Sequence, residues 1–265
     1  MPEVIQQNLY DFPKYYDLVF GSDWAAEFRF LLGCFEKYSN RPIKRLVEPA
    51  CGTGRLLVRL AGRGYETAGL DLNEKAVEFC NARFVRNGYA PPAIVGDMSD
   101  FRLRDFGTRS LFHAAFNPIN SFRHLLSEKE ARNHLRCVGD VLRKGGLYLL
   151  GLHLKPSEGE AISDEAWSAR RGHLAVNSYL WSKGIDEKKR EERIGMTFDI
   201  YTPTRQFQIQ DETIFRTYSA KQMQKLIDDA GCWEILDTYD FTYDLKRPVT
   251  IGPDSEDVMY VLRKR

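Results

Sequence analysis

The chain has 265 residues, 43% of them hydrophobic and 28% charged. That is the balance of a soluble globular protein, with room for one large domain or two small ones. Lysine and arginine number 38 against 37 acids, a formal charge of +1, so nothing in the bulk charge points to nucleic acid or an anionic membrane as partner. The five cysteines (Cys34, Cys51, Cys80, Cys137, Cys232) form neither a CxxC pair nor a zinc-spaced cluster. Residues 1–8 have neither the basic nor the apolar character of a signal peptide, and no apolar run approaches the ~20 residues of a membrane span. The expectation is a cytoplasmic protein with reduced thiols, no membrane association and no metal.

In chain order, residues 1–40 are crowded with aromatics, among them Tyr10, Tyr15, Tyr16 and Phe20. Trp24, Phe28, Leu31 and Phe35 recur at helical spacing behind Ser22 or Asp23 as N-cap. An irregular aromatic arm is therefore expected to lead into a helix packed on a sheet. Strand patterns follow at Arg45–Glu48, Glu66–Asp71, Ala93–Gly96, Leu111–Asn117 and Leu147–Leu152, alternating with helical ones at Arg55–Arg63, Glu74–Asn87 and Ser127–Leu142. Such alternation argues for an α/β fold, a parallel sheet with helices on both faces. Lys144-Gly145-Gly146 reads as a helix stop and turn.

Past Pro156 the pattern changes. Leu174–Ser182, Ile194–Tyr201 and Arg205–Tyr218 alternate apolar and polar residues and read as a small antiparallel β insertion. The mixed-sign run Asp186–Arg193 suits a solvated hairpin tip better than a docking patch. A helix over Ser219–Ala230, stopped by Gly231, precedes two strands, Glu234–Phe241 and Val258–Arg263. An antiparallel pair closing the sheet edge is their simplest arrangement.

The stretch from Arg45 to Leu57 is an apolar strand, a loop with two glycines, and the start of a helix. Gly52 and Gly54 allow the backbone to approach a ligand closely, and the helix N-terminus offers free N–H groups. Asp71 ends the next strand, placed to accept hydrogen bonds from two ribose hydroxyls. Val95-Gly96-Asp97-Met98 ends the third with an acid for an adenine N–H and a side chain to lie on the ring. A dinucleotide site would want a third glycine, where this loop has Leu57. The leading acid Glu48 also suits a zwitterionic amino-acid tail better than a diphosphate.

Glu48-Pro49-Ala50-Cys51-Gly52-Thr53-Gly54, Asp71, Gly96-Asp97 and Lys144-Gly145-Gly146 resemble the ordered motifs of class I S-adenosylmethionine-dependent methyltransferases. The resemblance runs from about Leu46 to Leu152 and implies a Rossmann-like, seven-stranded, mostly parallel sheet. It implies S-adenosyl-L-methionine as cofactor and S-adenosylhomocysteine as product. Gly52 and Gly54, with Ala50 and Cys51 beside them, would lie under the methionine part. Asp71 with Leu72 would hold the ribose, and Asp97 with Met98 the adenine. Glu48 would order the loop or meet the ammonium through water. Ala50 departs from the family, which most often has a glycine there, and Cys51 reads as a small filler in a tight loop.

Phe116–Leu125 follows the fourth strand, with Asn117 at the cofactor. Asn117-Pro118 tempts comparison with DNA amino-methyltransferases, but Ile119-Asn120 breaks their pattern. Asn120-Ser121-Phe122-Arg123-His124-Leu125 is similar instead to the loop of glycine and sarcosine N-methyltransferases. Tyr15-Tyr16-Asp17 in an aromatic arm and Arg216-Thr217-Tyr218 before a helix share that layout. By this resemblance Asn120 would hold a polar group of the acceptor and Tyr16 would close over the cofactor. His124 is a candidate general base or, equally, a cap of the following helix. Arg123, Arg170, Arg171 and Arg216 are candidates for an acceptor carboxylate.

The expected protein is a single methyltransferase domain. Residues 1–40 form a helical aromatic arm or lid, 41–155 the cofactor core, 156–218 the substrate-side insertion, and 219–265 the closing helix and strands. It would move a methyl group to a small-molecule N or O nucleophile by direct displacement, which needs alignment more than acid–base help. A non-catalytic cofactor-binding regulator and a nucleic-acid or protein methyltransferase are the alternatives. Acceptor identity and oligomeric state are open.

Overall fold

A computed structural model describes residues 3–158 and 164–265. The main sheet uses β2 (Arg45–Pro49), β3 (Glu66–Asp71), β4 (Ala93–Val95), β5 (Phe112–Asn117), β6 (Leu142–His153), β11 (Trp233–Tyr239) and β12 (Asp257–Lys264). Its order is β11-β12-β6-β5-β2-β3-β4. Strands β2 to β6 run parallel, and β12 is antiparallel to both its neighbours. This is the α/β, Rossmann-like, mostly parallel seven-stranded sheet that the alternation and resemblance imply. Strand order reverses between β2 and β5, which opens the ligand crevice at their carboxyl ends.

Helices cover both faces. On one lie α5 (Glu128–Val141) and α6 (Ala220–Ala230), each started by a capping box, Ser127 with Glu130 and Ser219 with Gln222. Leu135, Val138, Leu226 and Trp233 pack there against Tyr148 and Leu150 of β6. On the other lie α2 (Ala25–Tyr38), α3 (Leu57–Ala61) and α4 (Glu74–Arg86), where Phe30, Leu31, Leu57 and Phe84 meet Leu46 and Leu149.

A second sheet of five strands stands over the crevice. Strands β7 (Asp164–Arg171), β8 (Leu174–Asp186), β9 (Glu191–Tyr201) and β10 (Gln206–Arg216) are antiparallel, and β1 (Glu3–Gln6) adds parallel to β10. The resulting order is β1-β10-β9-β8-β7. Its apolar face (Val176, Met196, Phe198, Ile200, Ile209) receives Leu9, Leu18 and Val19 from the arm. The charge run turns between Asp186 and Glu191 as the β8–β9 hairpin tip.

The arm is more regular than its sequence suggests. After β1 come a 3₁₀ turn at Leu9–Asp11 and helix α1 (Pro13–Phe20), with Pro13 at its first position. Neither Ser22 nor Asp23 caps α2; its N-cap is Trp24, without a side-chain bond, and Ser22 Oγ donates back to Val19 O. Helix α3 is shorter than the expected Arg55–Arg63. Lys144-Gly145-Gly146 does turn the chain, but inside β6 rather than ahead of it: β6 begins at Leu142, which pairs with Phe112, and the register shifts before Leu147 meets Ala114, with Gly145 at φ +75°.

Candidate active site

A cavity of about 970 Å³ lies where the carboxyl ends of the parallel strands face the second sheet and the arm. Its wall includes Tyr16, Glu48, Ala50, Cys51, Gly52, Asp71, Leu72, Asp97, Met98, Asn117, Asn120 and His124. Gly54 stands behind the loop with φ +67°, where an added Cβ would collide with Cys80 Sγ. The structure thus brings together the residues singled out by sequence, with Gly54 as packing beneath them.

The loop after β2 is held by the carboxylate at the end of β3. Asp71 Oδ2 accepts from Gly52 N–H (2.8 Å) and Oδ1 from Asn73 N–H (2.9 Å). Burial raises the Asp71 pKa, and the N–H groups of Asn73, Gly52 and Leu72 oppose it. Ala50 has φ +54°, a left-handed conformation that costs a residue with a Cβ about 1–3 kcal/mol. That conformation accounts physically for the family's glycine at this point. The Cys51 thiol is buried and pushed up, first by its hydrogen bond with Cys80 and then by burial, so it stays protonated.

Among the described residues, the buried polar atoms of this wall without a hydrogen-bond partner include Glu48 Oε2, Asn117 Oδ1 and Arg55 Nη1. Asn117 Nδ2 meanwhile donates to Pro49 O at 3.1 Å. Burial drives the Glu48 pKa well up, and Arg55 draws it down. Arg55 forms an ion pair with Glu27 of α2, in which both side chains are nearly buried. Orphaned buried polar groups cost about 1–3 kcal/mol each. Two acceptors beside one cationic donor are the complement of an amino acid's ammonium and carboxylate. With Asp71 and Asp97 further along the same wall, the donor set fits S-adenosylmethionine.

The arm is tied to this site. Asp17 accepts from Thr53 Oγ1 (2.9 Å) in the loop and pairs with Arg83 of α4. Asp11 accepts from Asn73 Nδ2 (2.7 Å) and Lys75 Nζ (3.0 Å). Tyr16, pushed up to about 12 chiefly by burial, packs 5.5 Å from Tyr10 and 4.7 Å from Phe20 between ring centroids.

On the far side of the cavity, Asn120 is left-handed (φ +50°) and starts the 3₁₀ turn Ser121–His124. Its Oδ1 accepts from His153 N–H at 2.7 Å. His124 is not a helix cap; α5 is capped by Ser127. His124 Nε2 lies 3.1 Å from Tyr10 Oη, and its ring meets Phe215 edge-on. Burial, then Arg123, lowers its pKa to about 4, so it is neutral at pH 7. Two of the candidate arginines are engaged inside the fold. Arg123 donates to Arg216 O and Glu192, and Arg216 to Leu126 O and Glu128.

Sequence reasoning missed Arg55, Glu27, Tyr10 and the group His153, Glu165 and Asp257, all of which line the cavity. Arg55 directly follows Gly54 and could have been flagged as a cation at the loop. The others meet only through the fold. Among the described residues no group of three or more His, Cys, Asp or Glu could hold a metal, and no helix is long and apolar enough to cross a membrane.

Residues 47–146 match the family described as a methyltransferase domain. A protein of Geobacillus sp. (strain WCH70) that bears a provisional methyltransferase name is 24% identical over 231 residues, 86% of this chain and 88% of that one. The fold is shared with an S-adenosylmethionine-dependent methyltransferase of Clostridium acetobutylicum ATCC 824. Its TM-score is 0.75 at 18% identity, covering 97% of this chain and 99% of that one. It is shared also with a methyl-donor-bound amino pentose methyltransferase of Micromonospora echinaspora, at TM-score 0.72 and 17% identity over 98% and 100% of the two chains.

Proposed function

We propose that the chain, a methyltransferase dependent on S-adenosylmethionine, methylates a nitrogen of a small molecule carrying a basic amine. The observation that carries this reading is the charge of the cavity beyond the cofactor residues. Glu165, Glu192, Glu256 and Asp257 stand in that wall, although the chain as a whole is nearly neutral. The cations of the same wall, Arg123 and Lys155, are already paired with Glu192 and Glu187. A surplus of carboxylates at low dielectric attracts and orients an ammonium and repels an acidic acceptor. One of the structural neighbours is an amino pentose methyltransferase, which agrees with this choice.

Bound S-adenosylmethionine supplies an electrophilic methyl group on a sulfonium. The protein's part is positioning. In this reading Glu48 and Asn117 Oδ1 receive the ammonium of the methionine part and Arg55 its carboxylate. Asp71 with Leu72 holds the ribose, and Asp97 with Met98 the adenine. Ala50, Cys51 and Gly52 give the close backbone floor, shaped from behind by Gly54. Tyr16 and Tyr10 close over the site and exclude water, and His124, neutral and in contact with Tyr10, aligns the acceptor together with Asn120. Such alignment supplies much of the rate of a direct displacement. The chain works as one domain, with residues 1–40 as the lid, 41–155 as the cofactor core, 156–218 as the acceptor side, and 219–265 completing the sheet.

The test pairs labelled methyl donor with amino pentoses and amino hexoses, and with the same sugars bearing hydroxyl in place of nitrogen. Transfer to the amino member of a pair is expected. Transfer confined to the hydroxyl members would refute the nitrogen assignment. S-adenosylhomocysteine at a hundredfold its Kd should stabilise the fold by about 2.7 kcal/mol.

A further inference from the structure

His153 ends β6, directly beside the loop that carries Asn117 and Asn120. Its main-chain N–H is fixed by Asn120 Oδ1 at 2.7 Å, and its ring stands edge-on to Phe241, 5.3 Å between centroids. Nδ1 lies 2.9 Å from Asp257 Oδ1 at the start of β12. That oxygen is buried and has no well-directed donor, so its charge acts on the imidazole chiefly through proximity. No hydrogen-bond partner within the protein meets Nε2 among the described residues. The ring lines the cavity and is 14% exposed.

An amine acceptor poses a problem that this arrangement solves. The acidic wall that attracts an amine holds it as ammonium, and an ammonium has no lone pair with which to attack carbon. We propose that His153 takes this proton, with Asp257, close against Nδ1, as the positioning residue that stabilises the charge the ring then carries; the proposal rests on the amine reading above. The nitrogen–hydrogen bond breaks with its electron pair staying on the acceptor nitrogen, and an Nε2–H bond forms. The proton passes to water after turnover. The methylated product keeps a second proton and leaves as a secondary ammonium, so one proton is released for each methyl moved.

The contrast with His124 is geometric. His124 Nε2 is occupied by Tyr10 Oη, and among the described residues no carboxylate forms an ion pair with its ring. Around His153 the charged groups come from several elements. Asp257 and Glu256 come from the start of β12, Glu165 from β7, Arg123 from the 3₁₀ turn and Lys155 from the end of β6. Each cation already has a carboxylate partner of its own, Glu192 for Arg123 and Glu187 for Lys155. Asp257 beside Nδ1, with Nε2 turned to the cavity wall that the acceptor would meet, is the geometry a proton acceptor requires.

The experiment compares wild type, His153→Gln and Asp257→Asn on whichever amino sugar of the paired set wild type methylates best, across pH. For wild type, kcat/KM should fall on the acid side as the group that accepts the proton becomes protonated. His153→Gln should lose about 10²- to 10³-fold near neutrality. Its rate should then follow only the free-base fraction of the amine, rising about tenfold per pH unit towards the amine's own pKa. Asp257→Asn should move the acid limb to lower pH, because the charge favouring imidazolium is gone. S-adenosylhomocysteine affinity should stay within about threefold in both variants, which separates the effect from misfolding.

A wild-type pH profile retained in His153→Gln overturns the proposal and leaves the amine reading standing. Methylation of the hydroxyl members alone overturns both. If no member turns over, 15N-histidine spectra of the S-adenosylhomocysteine complex titrated with the same amines decide. Movement of the His153 Nε2 resonance towards its protonated position supports the proposal, and an unmoved resonance overturns it.

Discussion

Glu48→Gln isolates the orphaned carboxylate at the methionine end of the cavity. Glu48 is 5% exposed, its Oε2 has no hydrogen-bond partner, and burial holds its pKa well above the usual carboxylate range. In the free enzyme the protonated form is therefore favoured, whereas a bound ammonium favours the ionised form. Binding of S-adenosylhomocysteine should release up to one proton. Affinity should rise with pH by up to about tenfold per unit until pH passes the free-enzyme pKa. The charge-assisted contact is worth about 1.5–3 kcal/mol, or roughly 10- to 150-fold in Kd. Glutamine keeps the shape and removes the ionisable group, so the fold should melt no lower than wild type. Calorimetric titrations in buffers of different ionisation enthalpy read both quantities. In Glu48→Gln the residual buffer dependence should be only what Asp71 contributes, a carboxylate also raised by burial. A variant that binds within threefold of wild type with unchanged proton release refutes the assignment.

Three further outcomes follow from the packing. Asp17→Ala leaves Arg83, 14% exposed, without its buried partner and removes the Thr53 anchor. A loss of about 3–5 kcal/mol is expected, read as a fall in denaturation midpoint together with weaker cofactor binding. His134 is buried, and burial lowers its pKa to about 4 against Met98 O and Tyr148 Oη. A depressed histidine contributes stability above its unfolded pKa of about 6.5 and loses it as pH falls towards 4, at most about 3 kcal/mol. The stability gap between wild type and His134→Gln in urea should therefore shrink over that window; a gap that stays constant refutes the linkage. Ala50→Gly relieves the left-handed strain at φ +54° and adds chain entropy to the unfolded state. The net should lie between zero and about 1 kcal/mol of stabilisation by chemical denaturation, and a loss beyond 1 kcal/mol contradicts the strain reading.

The legible half of this molecule is the half whose chemistry is local in sequence. The β2 loop, Asp71 and Asp97 reach the cavity through backbone geometry and strand ends, so glycine spacing and apolar runs disclose them. The β12 hydrophobic run Val258–Leu262 is buried throughout and betrays its strand in the same way. Strand β7 gives no such signal, because Asp164–Arg171 is partly or fully exposed along its whole length and carries no alternation. Helix α1 is hidden in the sequence because its aromatics face both the second sheet and the cavity, which blurs a single apolar stripe. Arg55 with Glu27, Tyr10 with His124, and His153 with Asp257 are pairs made by topology. Each partner alone looks like an ordinary surface or core residue, and only strand order puts them in one wall.

The division between the two sheets explains why the donor was easier to read than the acceptor. The main sheet presents the cofactor through backbone and strand ends, features constrained by any fold of this order. The proposed acceptor wall is assembled from β7, β9, the end of β6 and the start of β12, whose side chains meet only through the fold. The arm joins the two halves. β1 is bonded along β10, and Leu9 N–H reaches Asp211 at 2.9 Å, which fixes its first part to the second sheet. Its contacts to the cofactor side are unequal. The Asp11–Lys75 pair is solvent-exposed and worth at most about 1 kcal/mol, whereas Asp17 is 2% exposed and joins Thr53 and Arg83 at once. The buried carboxylate of Asp17 is therefore the stronger of the two ties between the arm and the loop after β2, which is why its replacement should weaken cofactor retention as well as the fold.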